Sequence, residues 1–152
     1  MSKVYHIRDM STEKAFDIMS GELSSANELW KLIRNESKGM DTRRRKILSY
    51  RKSDEWSGLS RQQKYKYVKA NLDAMSDSGK MITKKIDNTM EIVMFVLHVG
   101  GTCKDLSDDL RGMVCADMDN MMNLLQSMLK RINSNLDIVN DCYRCLIGEY
   151  KN

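Results

Sequence analysis

The chain contains no proline and only eight glycines in 152 residues. Proline removes a backbone donor and clashes with the preceding turn, so its absence leaves long helices uninterrupted. Histidine, phenylalanine and tryptophan occur only twice each. No glycine-rich phosphate loop, nucleophile elbow or paired-acid motif is present, so a binding role is expected here and catalysis is not. Sustained alternation of apolar and polar residues is missing, which argues against strands. The longest apolar run, Ile92 to Leu97, is far short of the roughly 20 residues that span a bilayer. Residues 1–20 lack the apolar core of a secretory leader. The expectation is an intracellular protein of the cytoplasm or nucleus, with Cys103, Cys115, Cys142 and Cys145 as free thiols.

What is present is helical periodicity. The reading is a single all-α domain over residues 1–152, a compact bundle of roughly six or seven helices with a long buried central helix. Residues 1–10 read as an arm, flexible or exchanged between copies. A first helix starts after Ser11 and closes at Gly21. Ser25 and Glu28 form a capping box for a second, which stops at Gly39. Asp41 caps a third, and Ser53–Gly58 forms a loop. Ser60 and Gln63 make another capping box, whose helix carries Tyr65, Val68, Leu72 and Met75 inward. After a turn at Ser76–Gly79, the helix from Lys80 to Val99 should be the most buried, ending at Gly100-Gly101. A long helix from Lys104 to Ile132, a tight turn at Asn133–Asn135 and a last helix complete the chain. Most of the thirteen methionines are expected in the core.

Charge is unevenly distributed. Residues 41–69 carry Arg43, Arg44, Arg45, Lys46, Arg51, Lys52, Arg61, Lys64, Lys66 and Lys69 against Asp41, Asp54 and Glu55, which is 10 − 3 = +7 in a chain of net +4. Tyr50, Trp56, Tyr65 and Tyr67 lie among these cations. Point charges and arginine forks suit phosphate, and aromatic rings suit exposed bases. The expected partner is nucleic acid, RNA favoured over DNA, bound through the backbone with little sequence preference. The named site is the ten cations with Tyr50, Trp56 and Tyr65. An anionic membrane surface or an acidic protein is the competing partner for the same face, and a solvated helix surface the bland reading.

Other constellations are weaker. Cys142 and Cys145 form a CxxC, with Cys103, Cys115 and His98 as conceivable zinc partners. Their spacing lacks a paired knuckle, so core thiols are expected and no metal or cofactor is assigned. A Cys–His nucleophile pair such as Cys103 with His98 has no supporting elbow or paired-acid motif, and His98 reads as a hydrogen-bonded residue near the core. Asp105, Asp108, Asp109, Asp117 and Asp119 lack calcium-loop spacing and read as a solvated face. Met113, Met118, Met121, Met122 and Met128 crowd one helix. They would line a groove for a partner helix if the chain were instead an adaptor or inhibitor, or support homo-oligomerisation by helix exchange.

The passage Tyr67-Val-Lys-Ala-Asn-Leu72 through Met81 resembles a helix-to-helix passage of orthomyxovirus matrix proteins, which implies a helical, basic protein associated with RNA and membranes. The small, proline-free helical format also resembles virus-encoded proteins of Bcl-2-like fold. Neither resemblance transfers a functional residue.

Overall fold

A computed structural model describes residues 6–151, with side chains to residue 148. The described residues are 91% helix. Among the described residues there is no strand. A short 3-10 turn at Ile7–Asp9 precedes α1 (Thr12–Arg51), α2 (Asp54–Ser57), α3 (Arg61–Thr102) and α4 (Asp108–Lys151). The all-α expectation holds. The expected number of helices does not, because the described residues form four α-helices instead of six or seven.

The merging has a physical cause. A glycine stops a helix by adopting a left-handed conformation just past its end, yet no glycine among the described residues has a positive φ. Gly21 and Gly39 lie inside α1, and Gly79 and Gly100 inside α3. Buried residues explain why the helices continue. They recur every seven positions: Met19, Ala26, Ile33, Met40 and Ile47 in α1; Val68, Met75, Ile82, Thr89 and Val96 in α3; Met118, Leu125, Ile132, Val139 and Leu146 in α4. An interior glycine costs about 0.5–1 kcal/mol relative to alanine. A buried Ile or Met side chain contributes about 1.5–3 kcal/mol. The seam therefore outweighs the stop signals.

Two expected starts are correct. Ser11 Oγ accepts from the Lys14 amide at 3.1 Å and opens α1. At α3 the Ser60 hydroxyl accepts from Gln63 N at 3.1 Å, while Gln63 Oε1 accepts from Ser60 N at 2.9 Å. The Ser25–Glu28 box is not a start. Ser25 turns back to the Gly21 carbonyl at 3.4 Å and Glu28 pairs with Lys31 at 3.3 Å. The Ser76–Gly79 and Asn133–Asn135 turns are likewise absent, so Tyr67–Met81 is unbroken helix and the matrix-protein passage has no counterpart in the backbone. The Ser53–Gly58 loop instead holds α2, capped where Ser53 Oγ accepts from the Trp56 amide at 3.3 Å.

The chain divides into two compact units. Unit 1 comprises residues 1–32 and 85–126. Its interior includes Ala15, Met19, Ala26, Ile86, Val93, Val96, Leu106, Met118 and Leu125. The arm expected over residues 1–10 lies partly outside the described residues. Its described part is fastened: Lys104 N donates to the Arg8 carbonyl at 3.1 Å, and the Cys103 thiol to the Met10 carbonyl at 3.2 Å. Asp105 Oδ2 caps α1, accepting from Thr12 N at 2.8 Å and from the Thr12 hydroxyl at 2.9 Å. Those bonds hold the Asp105 carboxyl below its ordinary value, the backbone donor contributing most. Gly100 permits a close approach, since a Cβ there would meet Val114 Cγ1 at 3.0 Å.

Unit 2 comprises residues 33–84 and 127–152. Ile33, Met40, Ile47, Val68, Met75, Ile82, Ile132, Val139 and Leu146 form its interior. Here α1 and α3 run antiparallel: Ser78 Oγ donates to Glu36 at 2.9 Å, and Arg43 Nη1 to Asn71 Oδ1 at 2.9 Å. A polar layer crosses the interior. Asp41, expected as a helix cap, is instead 4% exposed in mid-helix. It accepts from Asn135 Nδ2 at 2.8 Å and from the Arg131 guanidinium. Burial alone would raise the Asp41 carboxyl. The Asn135 and Arg131 hydrogen bonds, with the charges of Arg131 and Arg44, outweigh it and hold the group below 3.8.

Candidate nucleic-acid interface

All the sequence-predicted cations and aromatics of residues 41–69 fall within unit 2. The Arg43–Lys46 run spans one helical turn, so successive side chains point about 100° apart. Arg43 leans towards α3 and bonds Asn71. Arg44 lies close enough to Asp41 to lower its carboxyl, and its Nε is buried without a hydrogen-bond partner. Arg45 and Lys46 are exposed. Arg51 turns to α4, where its Nη1 lies 2.8 Å from Cys142 Sγ. Lys52, Arg61, Lys66 and Lys69 are exposed, although Lys69 has Asp73 at 3.8 Å. An exposed pair at that distance neutralises little in water.

The aromatic residues divide by role. Trp56, from α2, is 8% exposed and closes the connection between α1 and α3. Tyr50 meets it edge-on at 5.6 Å, Tyr67 at 6.0 Å, and Lys64 Nζ sits 5.6 Å from its ring centroid. Those neighbours occupy the indole, so its contribution is packing and a cation–π contact. Tyr50 and Tyr67 stack at 4.8 Å and are half-buried. Burial, then the neighbouring Tyr50, raises the Tyr67 hydroxyl above its ordinary value, with Arg43 opposing. Tyr65 pairs with Tyr143, hydroxyl to hydroxyl at 3.1 Å and ring to ring at 5.5 Å. This bond, with burial and the Tyr65 charge behind it, raises the Tyr143 hydroxyl.

Between the exposed cations and the tyrosines lies an open depression of about 560 Å³. Arg45, Lys46, Ser49, Tyr50, Ser53, Glu55 and Tyr67 line it. Sequence reasoning named Arg45, Lys46 and Tyr50 as site residues, placed Tyr67 among the aromatics, and assigned no role to Ser49 or Glu55. The helical spacing of Lys46, Ser49 and Tyr50, three and four residues apart, is the signal that would have gathered them.

Elsewhere the predicted groups do not assemble. Of the five methionines, Met118 and Met128 are core at 2% and 8% exposure, Met121 and Met122 are half-buried, and Met113 is 62% exposed. His98 Nδ1 is 3.4 Å from the Thr102 hydroxyl, while Cys103 is buried with its thiol on Met10. Cys142 is buried and Cys145 exposed. Among the described residues no three His, Cys, Asp or Glu side chains gather as metal ligands, and no helix is long and apolar enough to cross a membrane.

Compared with family models, curated proteins and solved structures, the chain matches none of them.

Proposed function

We propose that this chain is a non-enzymatic nucleic-acid-binding protein, RNA favoured over DNA, that neutralises phosphates with the exposed cations of unit 2. The observation that carries this reading is the excess of exposed cations over exposed acids in residues 41–69. Of the three acids in the basic segment, Asp41 is withdrawn from the surface and satisfied by Arg131, which lies outside the segment. Arg44 and Arg51 turn inward as well, and the exposed charged residues of the segment are seven cations (Arg43, Arg45, Lys46, Lys52, Arg61, Lys66 and Lys69) against Asp54 and Glu55. Arg43, Arg45, Lys46, Lys52, Lys66 and Lys69 carry the backbone contacts. Binding is led by counterion release and tolerant of sequence. Assembly into homo-oligomers accompanies it. The large apolar side chains exposed in unit 1, namely Phe16, Leu32, Met94, Met113 and Leu124, support self-association.

Fluorescence anisotropy with labelled single-stranded RNA across a salt series tests the binding, with light scattering on the same sample for assembly. About five neutralised phosphates give a log–log salt slope of about −3.5 on a single strand. Combined Arg45→Glu, Lys46→Glu and Lys66→Glu substitutions should abolish binding at moderate salt. Arg44 is left intact because a carboxylate there would face Asp41 and unfold the site. Absence of binding at low salt would overturn the proposal.

A further inference from the structure

We propose that the depression between Tyr50 and Tyr67 is a subsite for one unstacked nucleotide, with its base on the tyrosines, its phosphate on Arg45 and Lys46, and a base amino or ribose hydroxyl donor on Glu55. The inference rests on the nucleic-acid reading and specifies which form of the polymer the face accepts.

Size comes first. At about 560 Å³ the hollow lies within the range of small-molecule sites and is far too small for a duplex. A paired base is stacked between its neighbours and presents no face to a side chain. An unpaired base can turn outward and pack on an aromatic platform. Tyr50 and Tyr67 supply a platform held in place by its own ring contacts at 4.8, 5.6 and 6.0 Å. Ser53, part of the same lining, ties Tyr50 to α2, its hydroxyl donating to the Tyr50 carbonyl at 2.6 Å and accepting from the Trp56 amide.

Charge then selects among anions. Arg45 and Lys46 supply two cations on the wall that α1 forms, and Glu55 places a carboxylate at the edge of the same hollow. A ligand of dense negative charge, such as a sulfated polysaccharide or a polyphosphorylated headgroup, meets repulsion from Glu55. A nucleotide carries its donors beside its phosphate, and so satisfies cations and carboxylate together. Glu55 is exposed, so it is free to accept from the bound group.

The test is equilibrium titration of the full-length protein with an eight-residue oligoadenylate RNA, the same RNA annealed to its complement, adenosine monophosphate, and phosphatidylserine vesicles. The expected result is single-strand binding at least tenfold tighter than duplex binding. Tyr50→Leu should remove about tenfold of it, as stacking on one aromatic ring typically does. Glu55→Ala, at an exposed position, should narrow the preference for oligoadenylate over an oligomer of abasic ribose phosphate. Chemical-shift changes at Tyr50 and Tyr67 with the mononucleotide alone would show that the subsite also takes free nucleotides. Equal binding of single strand and duplex, unchanged by both substitutions, would overturn the subsite while leaving the polyanion reading intact. Binding to vesicles alone, or to nothing, would overturn both.

Discussion

Replacing Asp41 by alanine should destabilise the protein by about 2–3 kcal/mol. The main loss is at Asn135, a residue 1% exposed whose side-chain amide donates to Asp41 Oδ1 at 2.8 Å. A buried donor left without an acceptor costs about 1–3 kcal/mol. Arg131 adds little, because its side chain is 54% exposed and returns to water. For a chain of this size each 1 kcal/mol moves Tm by about 2–4 °C, so a fall of about 5–10 °C is expected. Asp41→Asn keeps an acceptor for Asn135 and loses only charge assistance, so it should cost about 1 kcal/mol. Replacing both Asp41 and Asn135 by leucine removes the polar layer together with its unsatisfied groups, and should recover most of the loss. Urea denaturation of the set measures these differences. The folded Asp41 carboxyl lies below 3.8. Its stabilisation is therefore fully present above that value and lost as pH falls through the depressed folded value. The gap between the native chain and Asp41→Asn should shrink on acidification below 3.8. An unchanged midpoint for Asp41→Ala, or a gap that widens in acid, would refute the reasoning.

Glycines in open helix give the opposite sign. Gly21→Ala and Gly39→Ala meet nothing within 4 Å, and each should stabilise by about 0.5–1 kcal/mol in thermal denaturation. Gly100→Ala places its Cβ 3.0 Å from the β-branched Val114 and should lower Tm, because that side chain has few rotamers to retreat to. Ser60→Ala removes the hydroxyl half of a reciprocal cap and should cost about 1 kcal/mol, read from urea midpoints. Asp105→Ala should lower the exchange protection factor of the Thr12 amide, and in the native chain that protection should also fall as pH drops through the lowered Asp105 value.

The helical class was legible because periodicity and missing proline both point to it. Helix ends were not, for a reason visible in the two capping boxes. Ser60 and Gln63 follow a real break that Ser53 and Trp56 build. Ser25 and Glu28 have the same residue types but sit between Met19 and Ile33 in an unbroken seam, and the seam prevails. Counting buried positions in sevens from Met19 or Val68 would have joined the fragments. The cations of the site were legible as composition. The separation of Arg44 and Arg51 from Arg45 and Lys46 was not, because it depends on which face of α1 meets α4. Trp56 looked like a stacking residue. Its burial depends on Tyr50, Tyr67 and Lys64 converging from separate elements, which no local spacing announces.

The polar contacts that tie α1 to the last third of the chain have a kinetic consequence. Thr12 meets Asp105 across 93 residues, Asp41 meets Asn135 across 94, and Arg51 meets Cys142 across 91. Helical proteins usually fold within micro- to milliseconds because their contacts are local. Here each such bond must close a loop of more than half the chain, and neither unit is a contiguous stretch of sequence. Refolding should therefore be slow for an all-helical protein. During synthesis, Asp41 and Arg51 must wait for α4 before they find Asn135 and Cys142.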